Sequence, residues 1–112
     1  LKEQNPDVRI IGVEPASRHH SLSGLKRITG LPDEHFPTIL DPNLLDELVS
    51  VSDEDAYKAG IEIARTDGIM VGPTTGAVLH AALNSGAARS GKAVLISADN
   101  SAKYISSYAN YL

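Results

Sequence analysis

The chain has 112 residues, which suffices for one compact α/β domain and is too short for two ordinary ones. Its formal charge of −4, without a basic cluster, argues against a nucleic-acid surface. The lack of cysteine excludes disulfides and thiolate metal sites, and no apolar run reaches the roughly 18 residues that a membrane helix needs. The composition is compatible with a cytoplasmic protein.

The first half of the chain predicts two strands separated by a long irregular connection. Val8–Pro15 is a branched apolar run closed by proline, which is typical of a strand buried on both faces of a parallel sheet. Residues 16–46 are broken by glycine and proline and predict an irregular excursion. Glu47–Val51 predicts the second strand.

A helix is predicted directly after the second strand. Ser52 with Asp55 three residues later resembles a capping box, and the first turn is acidic, as the helix dipole favours. Gly68 fits the residue that ends such a helix. Ile69–Val71 then predicts a brief extended piece.

The second half continues with a helix, a strand and a last helix. Thr74 or Thr75 is predicted to cap a helix whose apolar residues share one face, and Ala93–Asp99 predicts a continuous apolar strand. The apolar face comprises Val78, Leu79, Ala82 and Leu83. The last helix is expected to dock on the sheet through Tyr104, Tyr108 and Tyr111, with their hydroxyls outward.

Strands that alternate with helices imply right-handed βαβ crossovers and a parallel sheet. We therefore predict an α/β fold of three layers, with a parallel sheet core and flanking helices, as a single domain over residues 1–112. The chain starts with Leu1, and its first ten residues resemble the end of a helix that runs into a strand. We expect it to be a fragment of a longer protein.

The stretch GPTTG, which begins at Gly72, places small hydroxyl residues where an apolar helix begins. Helix N-termini carry unpaired N–H groups, and ligands of open α/β sheets lie outside the carboxyl ends of strands. The stretch therefore fits a ligand site. The simpler interpretation, in which Thr74 or Thr75 only caps its own helix, remains open.

Several segments together resemble the C-terminal part of the cysteine synthase and cystathionine β-synthase family of pyridoxal-phosphate enzymes (fold type II). DGIMVGPTTGAVLHAAL resembles the most specific motif of that family. The weaker matches, in chain order, are IIGVEP, GLKRITGLP, LLDELVSVSDEDAY and ISADNSAKYIS. AVLHAAL and the ADNSAKY ending are most similar to the branch that uses O-phosphoserine and a sulfur-carrier thiocarboxylate.

The resemblance implies a pyridoxal 5'-phosphate cofactor, a small-molecule amino-acid substrate, a possible sulfur-carrier partner and a homodimer for the full-length enzyme. The family's Schiff-base lysine, phosphate loop and substrate-carboxylate loop have no match in this sequence. We therefore expect the chain alone to be catalytically incomplete and assign it no catalytic residue.

The resemblance also implies which residues meet the cofactor ring. A hydroxyl residue contacts the pyridine nitrogen in this enzyme group, and the two family positions for it correspond to Thr74 and Asn100. Thr74 keeps a hydroxyl and is favoured, while Asn100 can donate an amide N–H or simply cap a turn. Gly72 opens the same segment and completes the predicted cofactor contacts.

Two cations lie in GLKRITG, the loop that faces substrate in the family. Arg27 can hold the phosphate of O-phosphoserine by a bidentate contact, with Lys26 as an assisting point charge. The alternative is an exposed loop cation.

No metal site is predicted, because no histidine pair has the i, i+4 spacing of a zinc helix, and the four histidines are assigned structural or solvated roles. Other functions remain open: a small-molecule or anion-binding module with GPTTG as a phosphate cradle, or a protein-interaction domain without catalysis.

Overall fold

The computed structural model describes residues 1–86, 89 and 91–112. Its regular elements, in chain order, are β1 (Ile11–Pro15), β2 (Glu47–Val51), α1 (Asp53–Asp67), α2 (Pro73–Asn84) and the short α3 (Ile105–Tyr108). Single 3-10 turns span Asp33–His35, Pro42–Leu44, Ser101–Lys103 and Ala109–Tyr111. The two strands are parallel and are flanked by helices, which confirms the α/β fold class. No helix in these ranges is long and apolar enough to span a bilayer.

Strand β1 is shorter than predicted. Its ladder with β2 starts where Ile11 pairs with Glu47. One residue earlier, Ile10 N–H donates to the Asp46 carboxylate at 2.7 Å, so a side chain replaces the strand partner. The prediction of a strand over Val8–Pro15 was therefore wrong at its start. The prediction that both faces are buried was also wrong, since only Glu14 and Pro15 of the strand are buried.

Strand β2 and helix α1 agree with their predictions. β2 covers Glu47–Val51, and Ser52 caps α1 by accepting a hydrogen bond from Asp55 N–H at 3.1 Å. Gly68 ends the helix in the left-handed region with φ 71°, a conformation that glycine adopts without a steric penalty. Local sequence signals determine this part of the fold.

Helix α2 begins one or two residues before the predicted caps. Gly72 is the N-cap and Pro73 is the first helical residue, where a missing N–H costs no hydrogen bond. Thr74 and Thr75 therefore lie inside the first turn, and the prediction that one of them caps the helix was wrong. Their hydroxyls are free to bond to other segments.

The buried face of α2 consists of small residues. An added Cβ on Gly76 would lie 2.1 Å from the Ala56 carbonyl oxygen, so the backbones of α1 and α2 are in direct contact. Ala77 and Ala81 are also buried, whereas Leu83 is 56% exposed. The face of α2 that packs on α1 is therefore not the apolar face noted in the sequence, because close helix packing selects small residues. The residues of that apolar face, all only partly buried or exposed, are Val78, Leu79, Ala82 and Leu83.

The segment Ala93–Asp99 has no regular secondary structure, so the prediction of a strand there was wrong. Val94 and Ile96 are 89% and 75% exposed. The segment joins the rest near its end, where Ser97 Oγ lies 3.1 Å from Thr75 Oγ1, Gly72 N–H donates to the Asp99 carbonyl, and the next residue, Asn100, forms an antiparallel bridge with Val71. A strand requires a hydrogen-bonded neighbour, and none lies along this segment in the described part of the chain.

The core lies between the strands, α1 and α2, and the C-terminal tyrosines close it. Tyr111 stacks on Tyr57 of α1 with ring centroids 4.4 Å apart, and Tyr108 meets Tyr57 edge-on. The Tyr108 hydroxyl points inward and donates to the Val71 carbonyl at 2.9 Å. Tyr108 and Tyr111 therefore dock on α1 rather than on the sheet, and the prediction of an outward hydroxyl was wrong for Tyr108. The buried core residues are Leu22, Val51, Ala56, Tyr57, Ala77 and Ala81.

Candidate functional site

The start of α2 packs tightly against the C-terminal segment. Gly72 is buried, its N–H donates to the Asp99 carbonyl at 3.2 Å, and an added Cβ would lie 2.0 Å from Asp99 Oδ1. Glycine is required here by close approach, since its φ is an ordinary −76°. Gly72 thus fixes the position of the segment that carries Asn100.

Thr74 joins α2 to the loop that carries the predicted substrate residues. Its Oγ1 donates to the Ser23 carbonyl at 2.9 Å. Thr75 is buried, and its hydroxyl lies 3.1 Å from Ser97 Oγ. The two neighbouring threonines therefore connect α2 to two different segments. Thr74 contacts the loop before Lys26, and Thr75 contacts the segment before Asn100.

Asn100 is exposed and lies opposite Val71 in the antiparallel bridge. Its Oδ1 accepts from Ala102 N–H at 2.9 Å and caps the 3-10 turn Ser101–Lys103. The capping interpretation is confirmed for this oxygen. Within the described residues nothing accepts a hydrogen bond from the Nδ2 group of Asn100, so two N–H donors remain available there.

The carboxylate of Asp99 occupies the space beside Gly72. Its Oδ2 accepts from the Tyr104 hydroxyl at 2.8 Å, and this hydrogen bond raises the pKa of Tyr104. Its Oδ1 is buried without a hydrogen-bond partner. A buried acceptor in this place disfavours an anion, so the geometry opposes the use of GPTTG as a phosphate cradle.

Lys26 and Arg27 line a cavity of about 460 Å³ that is formed by residues of the 16–46 connection. Arg27 Nε is buried and has no hydrogen-bond partner, while Lys26 Nζ donates to the His35 carbonyl at 2.9 Å. The described lining contains no acidic side chain and is completed by Arg18, His20, Leu25, Gly30, Leu31, Pro32 and His35. The cavity therefore suits a small anionic group.

Sequence reasoning missed Glu14, which lies behind this loop. Glu14 is 2% exposed, and its Oε2 accepts from the backbone N–H groups of Ile28 and Thr29 at 2.9 and 3.0 Å. Its Oε1 accepts from Thr29 Oγ1 and Ser50 Oγ at 2.6 and 3.1 Å. Burial alone raises the pKa of Glu14, but these hydrogen bonds outweigh it and lower the pKa below the ordinary value. A glutamate within an otherwise apolar strand was the signal for it.

The remaining titratable residues form no further centre. In the ranges 1–86, 89 and 91–112, no three histidine, aspartate or glutamate side chains converge as metal ligands. His20 and His35 do line the cavity, although the sequence analysis gave all four histidines structural or solvated roles. His20 Nδ1 accepts from Leu22 N–H at 3.2 Å, which leaves Nε2 as its N–H donor in the neutral ring.

Comparison with known proteins yields one family. The model of the family "Pyridoxal-phosphate dependent enzyme" matches residues 1–99. A probable cysteine synthase of Bacillus subtilis is 37% identical over 95% of this chain and 36% of that protein, and a cysteine synthase of Aquifex aeolicus is 41% identical over 74% of this chain and 24% of that protein. An O-acetyl serine sulfhydrylase structure from Entamoeba histolytica superposes with a TM-score of 0.79 at 27% identity, over 95% of this chain and 33% of that one.

The chain thus spans about a third or less of the relatives that it matches. The solved structures that share its fold are pyridoxal-phosphate enzymes of fold type II, in agreement with the α/β fold described above. Both the family model and the fold agree with the resemblance seen in the sequence. The chain belongs to the family of pyridoxal-phosphate-dependent enzymes.

Proposed function

We propose that this chain is the C-terminal part of a cysteine synthase, which replaces the β-substituent of an activated serine with a sulfur nucleophile. The similarity to proteins named cysteine synthase supports this reaction class. Pyridoxal phosphate, when bound, supplies the electron sink for losing the leaving group. The residues of this chain orient that group and hold the substrate, and the remainder of the full-length homodimer supplies the lysine.

Asn100 and Thr74 fit the cofactor ring in different ways. An unprotonated pyridine nitrogen needs a donor, and the Nδ2 group of Asn100 has donors to offer. The single proton of Thr74 already goes to Ser23, so Thr74 meets the ring as a donor only if that bond opens. Gly72 acts through its close contact with Asp99, which sets the position of Asn100.

Replacing Asn100 and Thr74 separately tests this arrangement. In the holoenzyme, Asn100→Ala should weaken cofactor binding by roughly 5-fold, in line with about 1 kcal/mol for a lost hydrogen bond. Thr74→Val should have the smaller effect. Cofactor affinity is read from the fluorescence of reconstituted apoenzyme, and Ser106→Ala, at an exposed position of α3, is the control. A larger loss in Thr74→Val would assign the ring contact to Thr74 instead.

We propose that Arg27 and Lys26 bind the phosphate of O-phosphoserine. The observation that carries this proposal is the buried, unpaired Nε of Arg27 in a cavity whose described lining is cationic. A phosphate oxygen satisfies that donor, and a guanidinium can make two parallel bonds to it. An acetyl group offers neither the charge nor the geometry. Either sulfide or a sulfur-carrier thiocarboxylate can act as the sulfur donor in this scheme.

Arg27→Ala should lower kcat/KM for O-phosphoserine by roughly 10- to 100-fold, because hydrogen bonds to charged groups contribute about 1.5–3 kcal/mol. The kcat/KM for O-acetylserine should change by less than about 3-fold. Arg9→Ala is the matched control, since Arg9 is an exposed arginine that pairs with Glu47 away from the cavity. Steady-state cysteine formation with both substrates measures the effect. Equal losses on both would reject the phosphate assignment.

A further inference from the structure

We propose that Glu14 is the positioning residue of the substrate loop, and this inference rests on the substrate role proposed for Arg27. Its carboxylate binds the backbone directly after Arg27 and thereby holds the guanidinium at the cavity. Glu14 itself does not line the cavity, so it touches no substrate there. It acts through the loop.

The hydrogen bonds of Glu14 divide evenly between its two oxygens. Oε2 receives both backbone donors, Ile28 N–H and Thr29 N–H. Oε1 receives two hydroxyls, one from Thr29 of the loop and one from Ser50 of β2. No cation forms an ion pair with Glu14 in the described residues. The buried charge is therefore stabilised by these neutral donors, three of which belong to the loop.

The loop is held at both ends. Thr74 fixes its start at the Ser23 carbonyl, and Glu14 fixes its end at Ile28 and Thr29. Arg27 lies between these two points, next to the end held by Glu14. Since Glu14 lies within β1 and pairs with Ser50 of β2, the parallel strands form the rigid base of this support. Such support limits the range of positions that Arg27 samples before substrate arrives.

Two conservative substitutions separate loop support from simple stability. Thr29→Val and Ser50→Ala each remove one hydroxyl from the same carboxylate oxygen, but only Thr29 belongs to the loop. In the holoenzyme, Thr29→Val should raise KM for O-phosphoserine by about 5- to 10-fold, the effect of about 1 kcal/mol, with kcat nearly unchanged. Ser50→Ala should change KM by less than about 2-fold.

Limited trypsin digestion gives a readout without substrate or turnover. Trypsin cuts after Lys26 and Arg27, so the cleavage rate there reports how often the loop opens. Glu14→Ala and Thr29→Val should speed this cleavage by at least about 5-fold, and Ser50→Ala should leave it unchanged. Glu14→Gln should retain most protection, because its amide oxygen can accept both backbone N–H groups while its NH₂ faces the two hydroxyls.

The outcomes separate this inference from the proposed function. Faster cleavage and higher KM in Thr29→Val but not in Ser50→Ala support the positioning role. Equal effects in both variants, or none in either, overturn it while leaving the Arg27 result intact. If Arg27→Ala shows no substrate preference, the phosphate assignment fails, and the cleavage rates alone then decide whether Glu14 holds the loop.

Discussion

At the scale of single residues, two carboxylates with buried oxygen atoms, Glu14 and Asp99, organise the candidate site. Glu14 is charged and nearly inaccessible, with its charge matched by four donors. Asp99 Oδ2 accepts a hydrogen bond from Tyr104, whereas its Oδ1 is buried without a hydrogen-bond partner. A buried charge is tolerated only with such partners, so these two residues restrict how the loop and the C-terminal segment can lie.

Glu14 should make the stability of the protein sensitive to acid. Its folded-state pKa lies below that of the unfolded chain, so the stabilisation is complete above the unfolded pKa of about 4.5 and is lost as pH falls through the folded pKa. Glu14→Gln should flatten the decline of the unfolding free energy below about pH 4.5. Urea titrations between pH 3 and 7 measure this. An unchanged pH profile would mean that folding does not lower the pKa of Glu14.

The sequence was informative about residue types and less so about contacts. Arg27 and Lys26 were correctly placed in one loop, and the structure adds the cavity that both line. Glu14 and Asp99 were not singled out, because the role of such a carboxylate depends on its hydrogen-bond donors. The sequence alone does not show which donors the fold brings to it. The partners of Glu14 lie 14 to 36 positions away in the sequence.

At the scale of elements, the capping serine of α1 offers a clean test of local stability. Ser52→Ala removes the acceptor for Asp55 N–H, and caps of this kind contribute about 1 kcal/mol. The free energy of unfolding should fall by that amount in urea titration. Ser106→Ala, at an exposed position of α3, is the control and should change the free energy of unfolding by less than about 0.5 kcal/mol. Equal losses would mean that the cap is not what stabilises the helix start.

Elements with local signals were predicted well, and those defined by partners were not. β2 and α1 were placed correctly because the capping residue Ser52 separates them and Gly68 marks the end of α1. Ala93–Asp99 has the composition of a buried strand, yet its neighbours decide whether a ladder forms. The face of α2 was assigned from hydrophobicity, whereas the backbone contact at Gly76 requires small side chains.

At the scale of the whole molecule, the C-terminal tyrosines join the site to the core. Tyr104 binds Asp99 beside Gly72, Tyr108 binds the Val71 carbonyl, and Tyr111 stacks on Tyr57. The segment that carries Asn100 is therefore fixed by contacts to α1 and to the residue before the cap of α2. Loosening these contacts should displace Asn100 and destabilise the core together.

The Tyr108 hydroxyl should make the contact between the C-terminal segment and the core sensitive to high pH. Burial raises its pKa to about 12, so the folded state resists ionisation that the unfolded chain undergoes near pH 10. The contribution of Tyr108 to the free energy of unfolding is therefore complete below pH 10 and is lost as the pH rises through its folded-state pKa. Tyr108→Phe should be less stable at pH 7, since the bond to the Val71 carbonyl is gone, and its stability should decline less between pH 9 and 12.

Thermal unfolding followed by circular dichroism across pH 7 to 12 compares this variant with the unmodified protein, and cofactor fluorescence in the same samples follows the site. Tyr111→Phe is the control, because it removes a tyrosine hydroxyl from the same C-terminal segment and keeps the ring that stacks on Tyr57. If Tyr108→Phe and the unmodified protein lose stability in parallel above pH 10, the Tyr108 hydroxyl does not link the C-terminal segment to the core in the way its geometry indicates.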